Sequence, residues 1–256
     1  MKIKVCVPSY KRPRVKTLDY YPAASVYVCE TEADEYRKVN KGADIVALPV
    51  GVQGNLCRAR NWILDNESEK FEAIIIIDDD IKGFYHFSQK NRYLIEPMEV
   101  DAFLQKWAFL AKELGVKFFG LNVNTDAQNY REYTPFSTLS YIGGPFQGFL
   151  KGNVLRYDEG LPLKEDYDMT LQQLNKYRKV LRFNMACYSA KQSKQKGGCA
   201  AYRNFDRELE QLRKLQKKWG TKIVKFDERE DRSNKATKKK KVIDYNPVIR
   251  VPIRGV

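Results

Sequence analysis

The chain has a single histidine, His86, and five cysteines that follow no metal-binding spacing. One histidine leaves Ser-His-Asp catalysis and histidine-rich metal sites poorly supported. Cys6, Cys29, Cys57, Cys187 and Cys199 are scattered, odd in number and free of Cys-x-x-Cys. That fits reduced thiols in a cytosolic protein and argues against a zinc site or a disulfide framework. No apolar run approaches the roughly 18–20 residues needed to span a bilayer, so no membrane association is expected. The first residues, Met1 to Pro8, alternate like a strand and lack a signal-peptide core. There is no Gly-rich phosphate loop, internal repeat or clear linker. At 256 residues the chain is long enough for one large domain with a substantial core.

Acidic charge is scarce at one end. Residues 1–175 hold 22 Lys and Arg against 24 Asp and Glu, a net of −2, whereas residues 176–256 hold 24 against 8, a net of +16. A basic tract that includes Lys238, Lys239, Lys240 and Lys241 reads as a footprint for a polyanion, a nucleic acid or another polyanionic partner being favoured. The alternative is a solvated basic surface.

Four isoleucines, Ile74 to Ile77, run directly into Asp78, Asp79 and Asp80. A short β-branched run predicts a strand buried on both faces. Three adjacent carboxylates must shift their pKa values, face solvent or hold a cation. Read alone, they also fit a solvated acidic turn. The carboxyl end of such a strand is where open α/β sheets bind ligands.

Strands are expected over residues 2–7, 24–29, 44–50, 74–77 and 117–123. Helices are expected over about 31–39, 55–66, 100–114, 165–174 and 205–219. This alternation predicts an α/β fold with parallel pairing and helices on both faces. The expected organisation is one domain over residues 1–225 with a basic C-terminal extension over 226–256.

Several strand ends and helix starts carry candidate chemistry. Pro8, Ser9, Tyr10 and Arg12 follow the first strand; they offer hydroxyls, a ring and a guanidinium to a nucleotide. Glu30 closes the second strand, where a carboxylate suits ribose hydroxyls or a helix N-terminus. Arg58, Arg60 and Asn61 sit in the first turns of the helix after Gly54, a ready place for a diphosphate. Lys164, Glu165, Asp166, Tyr167 and Asp168 open a later helix.

In this order the pieces resemble nucleotide-sugar glycosyltransferases of the GT-A fold. The matching residues are Pro8-Ser9-Tyr10 with Arg12, the Arg58-Ala59-Arg60-Asn61 segment, the Asp-x-Asp of Asp78 and Asp80, and Glu165-Asp166. Within that group, Val26 to Glu30, the Cys-Arg-Ala-Arg-Asn run, Gly143-Gly144-Pro145-Phe146-Gln147-Gly148 and Lys196-Gly197-Gly198-Cys199 look like the TET-associated glycosyltransferases of bacteriophages. That resemblance spans roughly residues 2–225. It implies a GT-A, Rossmann-like, mixed but mainly parallel sheet flanked by helices.

It also implies a metal-dependent transferase that moves a sugar from a nucleotide sugar, expected to be a UDP-sugar, to a hydroxylated or hydroxymethylated pyrimidine in phage DNA. The setting would be the cytoplasm of the infected bacterial host. Asp80 and Asp78 would hold Mn2+ or Mg2+, with Asp78 or Asp79 near the donor nucleotide. Arg12, Arg58 and Arg60 would neutralise phosphate charge. Asp166, helped by Glu165 and Lys164, would be the general base of an inverting reaction. Gly143, Gly144 and Gln147 would line the sugar and acceptor. One departure is the lack of a late histidine for the metal shell, so a third ligand is unassigned and retention stays open. Other readings are a transferase acting on a saccharide, lipid or protein, a nucleotidyltransferase, and a non-catalytic DNA-binding module.

Overall fold

The isoleucine strand lies at the centre of a ten-stranded sheet. The structure, a computed structural model, describes residues 1–52, 54–190, 198, 203–226 and 246–251. Strands β1 (Ile3–Pro8), β2 (Ser25–Cys29), β3 (Asp44–Leu48) and β4 (Ala73–Ile77) alternate with helices α1 (Thr17–Tyr20), α2 (Ala33–Val39) and α3 (Leu56–Glu67). A hairpin of β5 (Ile81–Ser88) and β6 (Asn91–Leu94) precedes α4 (Val100–Glu113), β7 (Phe118–Asn122), β8 (Phe136–Ser137) and β9 (Phe146–Leu150). Next come α5 (Glu165–Tyr177), β10 (Leu181–Ala190), α6 (Phe205–Trp219), and the pair β11 (Val224–Phe226) and β12 (Pro247–Ile249).

The sheet order is β3-β2-β1-β4-β9-β7-β10-β5-β6, with β8 paired to β10. Strands β5, β8 and β9 run against the other seven, so the sheet is mixed and mainly parallel, as expected. The chain steps from β1 outward to β2 and β3, then returns to place β4 on the other side of β1. Between β1 and β4 the order reverses, and this opens a crevice at their carboxyl ends.

Side-chain alternation along β4 builds two core layers. Ile75 and Ile77 join one layer with Tyr36 of α2 and Leu104, Trp107 and Ala108 of α4. Ile74 and Ile76 join the other with Cys57, Ile63 and Leu64 of α3 and Met169 and Leu174 of α5. All five β4 residues are buried; truncating one of these isoleucines to Ala costs about 2–5 kcal/mol. Gly148 in β9 is required by close approach, because an added Cβ would lie 2.2 Å from the Phe119 ring.

The hairpin β5–β6 and the ten-residue β10 are not anticipated from the sequence. Leu181 to Ala190 contains no Val or Ile, and Arg182, Asn184 and two alanines interrupt its apolar pattern. It is a strand because β7, β8 and β5 all pair with it. The small β11–β12 sheet straddles the expected boundary at 225/226, and Val251 packs against both α6's apolar cluster and the α3–α5 layer. Lys238 to Lys241 and Cys199 lie outside the described residues. The four described cysteines are free and buried. Among the described residues no helix is long and apolar enough to cross a membrane.

Candidate active site

The crevice between β1 and β4 is closed by a polar lattice on the three aspartates. Ser9, just past β1, donates to Asp79 Oδ2 at 2.5 Å and shares a 2.9 Å hydrogen bond with the Tyr36 hydroxyl. Arg12 Nη1 donates to Asp79 Oδ1 at 2.8 Å and lies 3.7 Å from Asp80 Oδ2. The Arg12 backbone N–H donates to Tyr36 at 3.0 Å. From the other side, Thr17 donates to the Asp78 carbonyl at 2.6 Å and accepts from Ile81 N at 3.0 Å. Lys16 and Thr17 backbone N–H groups donate to the Asp79 carbonyl. A turn of three like charges therefore holds its shape through a serine, an arginine and a buried threonine.

These partners separate the aspartates. Asp79, expected near the nucleotide, is buried with both oxygens engaged, and it anchors the Ser9–Arg12 loop. Burial pushes its pKa up against the pull of Arg12 and Ser9. Asp80 is pushed up to about 7 by burial and by the charges of Asp78 and Asp79. Asp78 is the most open of the three, with a side chain 34% exposed.

Arg60 reaches Asp78 from behind. Its Nη2 donates to Asp78 Oδ1 at 3.1 Å and to the Gly144 carbonyl at 2.9 Å. Its Nη1 donates to Glu165 Oε1 at 3.2 Å and to Gln147 Oε1 at 3.3 Å. One guanidinium, 1% exposed, thus joins the aspartate turn to the first turn of α5. There Asp166 Oδ2 accepts from Gly144 N at 3.1 Å and from the Tyr141 hydroxyl, while Oδ1 accepts from Tyr167 N at 2.8 Å. Tyr141 stacks on Tyr167 with ring centroids 4.3 Å apart. Burial and the Asp166 charge raise the Tyr141 hydroxyl's pKa well above the usual phenol range. Glu165 is buried and pushed up to about 8 by desolvation and Asp166, against Arg60. Asp166 remains partly exposed at the helix N-terminus, which favours an anion.

Four expectations need correction. Arg58 and Arg60 do not share a ligand: residues two apart on a helix face different ways. Arg60 is turned into the sheet, whereas Arg58 donates to the Gly51 carbonyl at 2.8 Å and lies 3.9 Å from Glu159. Asn61 braces a loop through two hydrogen bonds to the Tyr157 backbone. Gln147 is fully buried and accepts from Arg60 and the Tyr157 hydroxyl, so it does not line an acceptor surface. The helix start after Gly54, expected as a place for a diphosphate, is partly taken, because Asn55 caps α3 by accepting from Cys57 N at 2.9 Å.

The remaining candidates stay near the crevice. Pro8 ends β1, and the Tyr10 carbonyl accepts from Gly198 N at 2.8 Å. Glu30 is exposed at the end of β2. Gly143 is needed where it stands, since a Cβ there would fall 2.6 Å from Val123 and 2.7 Å from the Tyr188 hydroxyl. At Gly144 it would meet Asp166 and Glu165 at 3.4 Å. His86 lies in β5, stacked between Tyr93 and Phe103, and not in the aspartate turn. Sequence reasoning missed Thr17, Tyr36 and Tyr141; only Tyr141, two residues before Gly143-Gly144, carried a local signal.

In the aspartate turn, Asp78 and Asp80 are the groups that could hold a hard divalent cation. Asp78 accepts from Arg60 through Oδ1, Asp80 lies 3.7 Å from Arg12, and burial together with the charges of Asp78 and Asp79 raises the Asp80 pKa. Among the described residues no three acidic, His or Cys groups form a ready cage. A site completed by substrate phosphates and water needs none.

The model for TET-associated glycosyltransferases matches residues 8–198. The chain belongs to this family. The glycosyltransferase's Asp78, Gly144, Gln147 and Glu165, which accept from Arg60, lie inside the matched segment. A search of curated proteins gave no match. Similar solved structures include a STIV protein at 10% identity and TM-score 0.40, covering 75% of this chain and 86% of that one. UDP-glucose pyrophosphorylase in complex with UDP-glucose aligns at 8% identity and TM-score 0.39, covering 75% and 92%. Mannose-1-phosphate geranyltransferase from Thermus thermophilus aligns at 14% and 0.35, covering 74% and 58%.

Proposed function

We propose that this glycosyltransferase moves a sugar from a UDP-sugar to a hydroxylated or hydroxymethylated pyrimidine in phage DNA, with inversion, in the cytoplasm of the infected host. The observation that carries the reading is the Arg60 bridge, which ties the aspartate turn to the Glu165–Asp166 turn across one crevice. Asp80 and Asp78 would hold Mn2+ or Mg2+, which supplies charge neutralisation for the departing nucleoside diphosphate. Arg12, 18% exposed at its side chain, is the arginine of the three best placed at the mouth of the β1–β4 crevice. Asp166 takes the proton of the acceptor hydroxyl as the new bond forms at the anomeric carbon. It is the partly exposed member of the pair, whereas Glu165 is buried and fixes Arg60. Tyr141 and the Gly144 N–H hold the Asp166 carboxylate in place.

DNA as acceptor is supported by the charge split of −2 against +16. Four of these basic residues, Arg207, Arg213, Lys214 and Lys217, are exposed on α6. Mass spectrometry of hydroxymethylated DNA incubated with UDP-sugars and Mn2+ tests the reading. The expected result is one hexose or pentose added per modified base, with release of UDP. Affinity for DNA should fall about tenfold or more between ~50 and ~200 mM salt. Better use of free saccharides, or a salt-independent acceptor KM, would replace DNA by a saccharide acceptor. Binding of DNA without UDP release from any sugar nucleotide would indicate a non-catalytic module.

A further inference from the structure

The family match ends at residue 198, yet the helix that follows grips the candidate catalytic turn. Helix α6 is capped by Asn204, whose Oδ1 accepts from Arg207 N at 2.9 Å. Its inner face is Glu208, Gln211, Leu212 and Leu215, a one-sided helical stripe. Leu212 and Leu215 pack with Leu161, Leu171 and Val224. The polar members reach further. Glu208 Oε2 lies 2.5 Å from Lys164 Nζ, and these side chains are 0% and 1% exposed. Glu208 Oε1 lies 2.9 Å from Arg203. At the other end of α6, Lys218 Nζ lies 2.9 Å from Asp168, and Trp219 Nε1 donates to Asp168 at 2.7 Å.

Lys164 is the residue before α5, and Asp168 is in its first turn. Asp166 sits midway between them. One helix from outside the matched segment therefore holds both residues that flank the proposed base at two positions' distance. For adhesion alone this is a poor solution. Both ions lose their hydration, and an apolar pair of similar volume often stabilises as well or better. What a buried ion pair adds is direction, since the ammonium has a fixed partner.

We infer that Glu208 is a positioning residue which, through Lys164, sets the Asp166 carboxylate against the acceptor hydroxyl. The inference rests on Asp166 being the base. A base must stay within hydrogen-bond reach of the proton it removes, and small misplacements cost large factors in rate. Losing the tie should lower kcat and leave donor binding, at the β1–β4 end of the crevice, unchanged.

The test compares Glu208→Gln, Glu208→Asp, the double variant Lys164→Met/Glu208→Leu and Asp166→Asn in the full chain. Turnover is read on hydroxymethylcytosine DNA with whichever of UDP-glucose, UDP-galactose or UDP-N-acetylglucosamine the wild type uses. Binding of UDP is read by calorimetry, and assays run well below each variant's Tm. Glu208→Gln should lose at least about tenfold in kcat with UDP affinity within about twofold, and Glu208→Asp should regain part of it. The double variant, in which the partly exposed Arg203 loses Glu208 and turns to solvent, should stay folded with a Tm near that of the wild type while keeping the low kcat. A merely adhesive role would return kcat together with Tm. Wild-type kcat in the folded double variant would therefore overturn the inference, even if Glu208→Gln fails to fold. Wild-type kcat in Asp166→Asn would instead remove the base assignment beneath it.

Discussion

Two acidic clusters face each other across Arg60, and they are built by opposite means. Asp78, Asp79 and Asp80 lie on a turn between β4 and β5, and their partners come from β1, α1 and α3. Glu165, Asp166 and Asp168 lie on the first turn of α5, and their partners come from α3, the Gly143-Gly144 turn and α6. On the turn, neighbouring carboxylates stay close, and burial together with the charges of Asp78 and Asp79 raises the Asp80 pKa. On the helix, the rotation per residue sends each side chain to a different partner. Both clusters spend acids on structure: Asp79 holds Arg12, Glu165 holds Arg60, and Asp168 holds Lys218 and Trp219. On the proposed reading, Asp78 and Asp80 of the turn would hold a cation and Asp166 of the helix would take a proton.

Removing the cation should have the largest effect on this contrast. Chelator should abolish transfer, with Mn2+ or Mg2+ restoring it, and Asp80→Ala should lose about three orders of magnitude or more in kcat while remaining folded. A thermal shift on adding Mn2+ with UDP should be present in the wild type and absent in Asp80→Ala. Full turnover by Asp80→Ala in chelator would end the assignment of chemistry to the turn.

Asp166→Asn comes next. Loss of general-base help costs typically about 10²–10⁴-fold in kcat, with little change in donor affinity. Product of retained anomeric configuration would show that the helix cluster does not act as this base.

Asp168→Asn should move stability more than turnover. Asp168 is fully buried, accepts from Trp219 and Gln172 and pairs with Lys218. Asn keeps part of this set, and Lys218 is partly solvated, so a loss of roughly 1–3 kcal/mol is expected by chemical denaturation. A loss of kcat as large as that of Asp166→Asn would merge the two roles.

The smallest effect is in pH dependence. Glu165 is raised from 4.5 to about 8 in the folded chain. The native state therefore holds this proton more tightly than the unfolded state between those values, and folding stability falls as pH rises through that window. Glu165→Gln removes the dependence. The Tm of Glu165→Gln relative to wild type should thus move upward from pH ~5 to pH ~8 and level off above. A difference that is flat with pH would mean that Arg60 keeps Glu165 ionised.

Much of this contrast was readable along the chain, but not its partners. Ile74 to Ile77 marked a central strand through β-branched character, and Glu165 to Leu174 marked a helix through its period. Helix α6 was expected over residues 205–219 and occupies Phe205–Trp219. Its contribution to the site was not, because Glu208 and Lys164 are 44 residues apart. The pairing of Arg58 with Arg60 misled for a local reason: adjacency in sequence hid the rotation between them. Strand β10 was missed because its residues have weak strand preference and its neighbours supply the pairing.

The sequence by itself determined which short segments bury and which residue types stand at strand ends, since hydrophobic period and helix capping act over a few residues. It also placed the carboxylates at Asp78, Asp80 and Asp166. Tertiary structure alone decided which of them are consumed. Burial and an ion-pair partner depend on elements brought together from distant parts of the chain, and those contacts set whether a carboxylate is a buried anchor, like Asp79 and Asp168, or stays partly exposed, like Asp78 and Asp166.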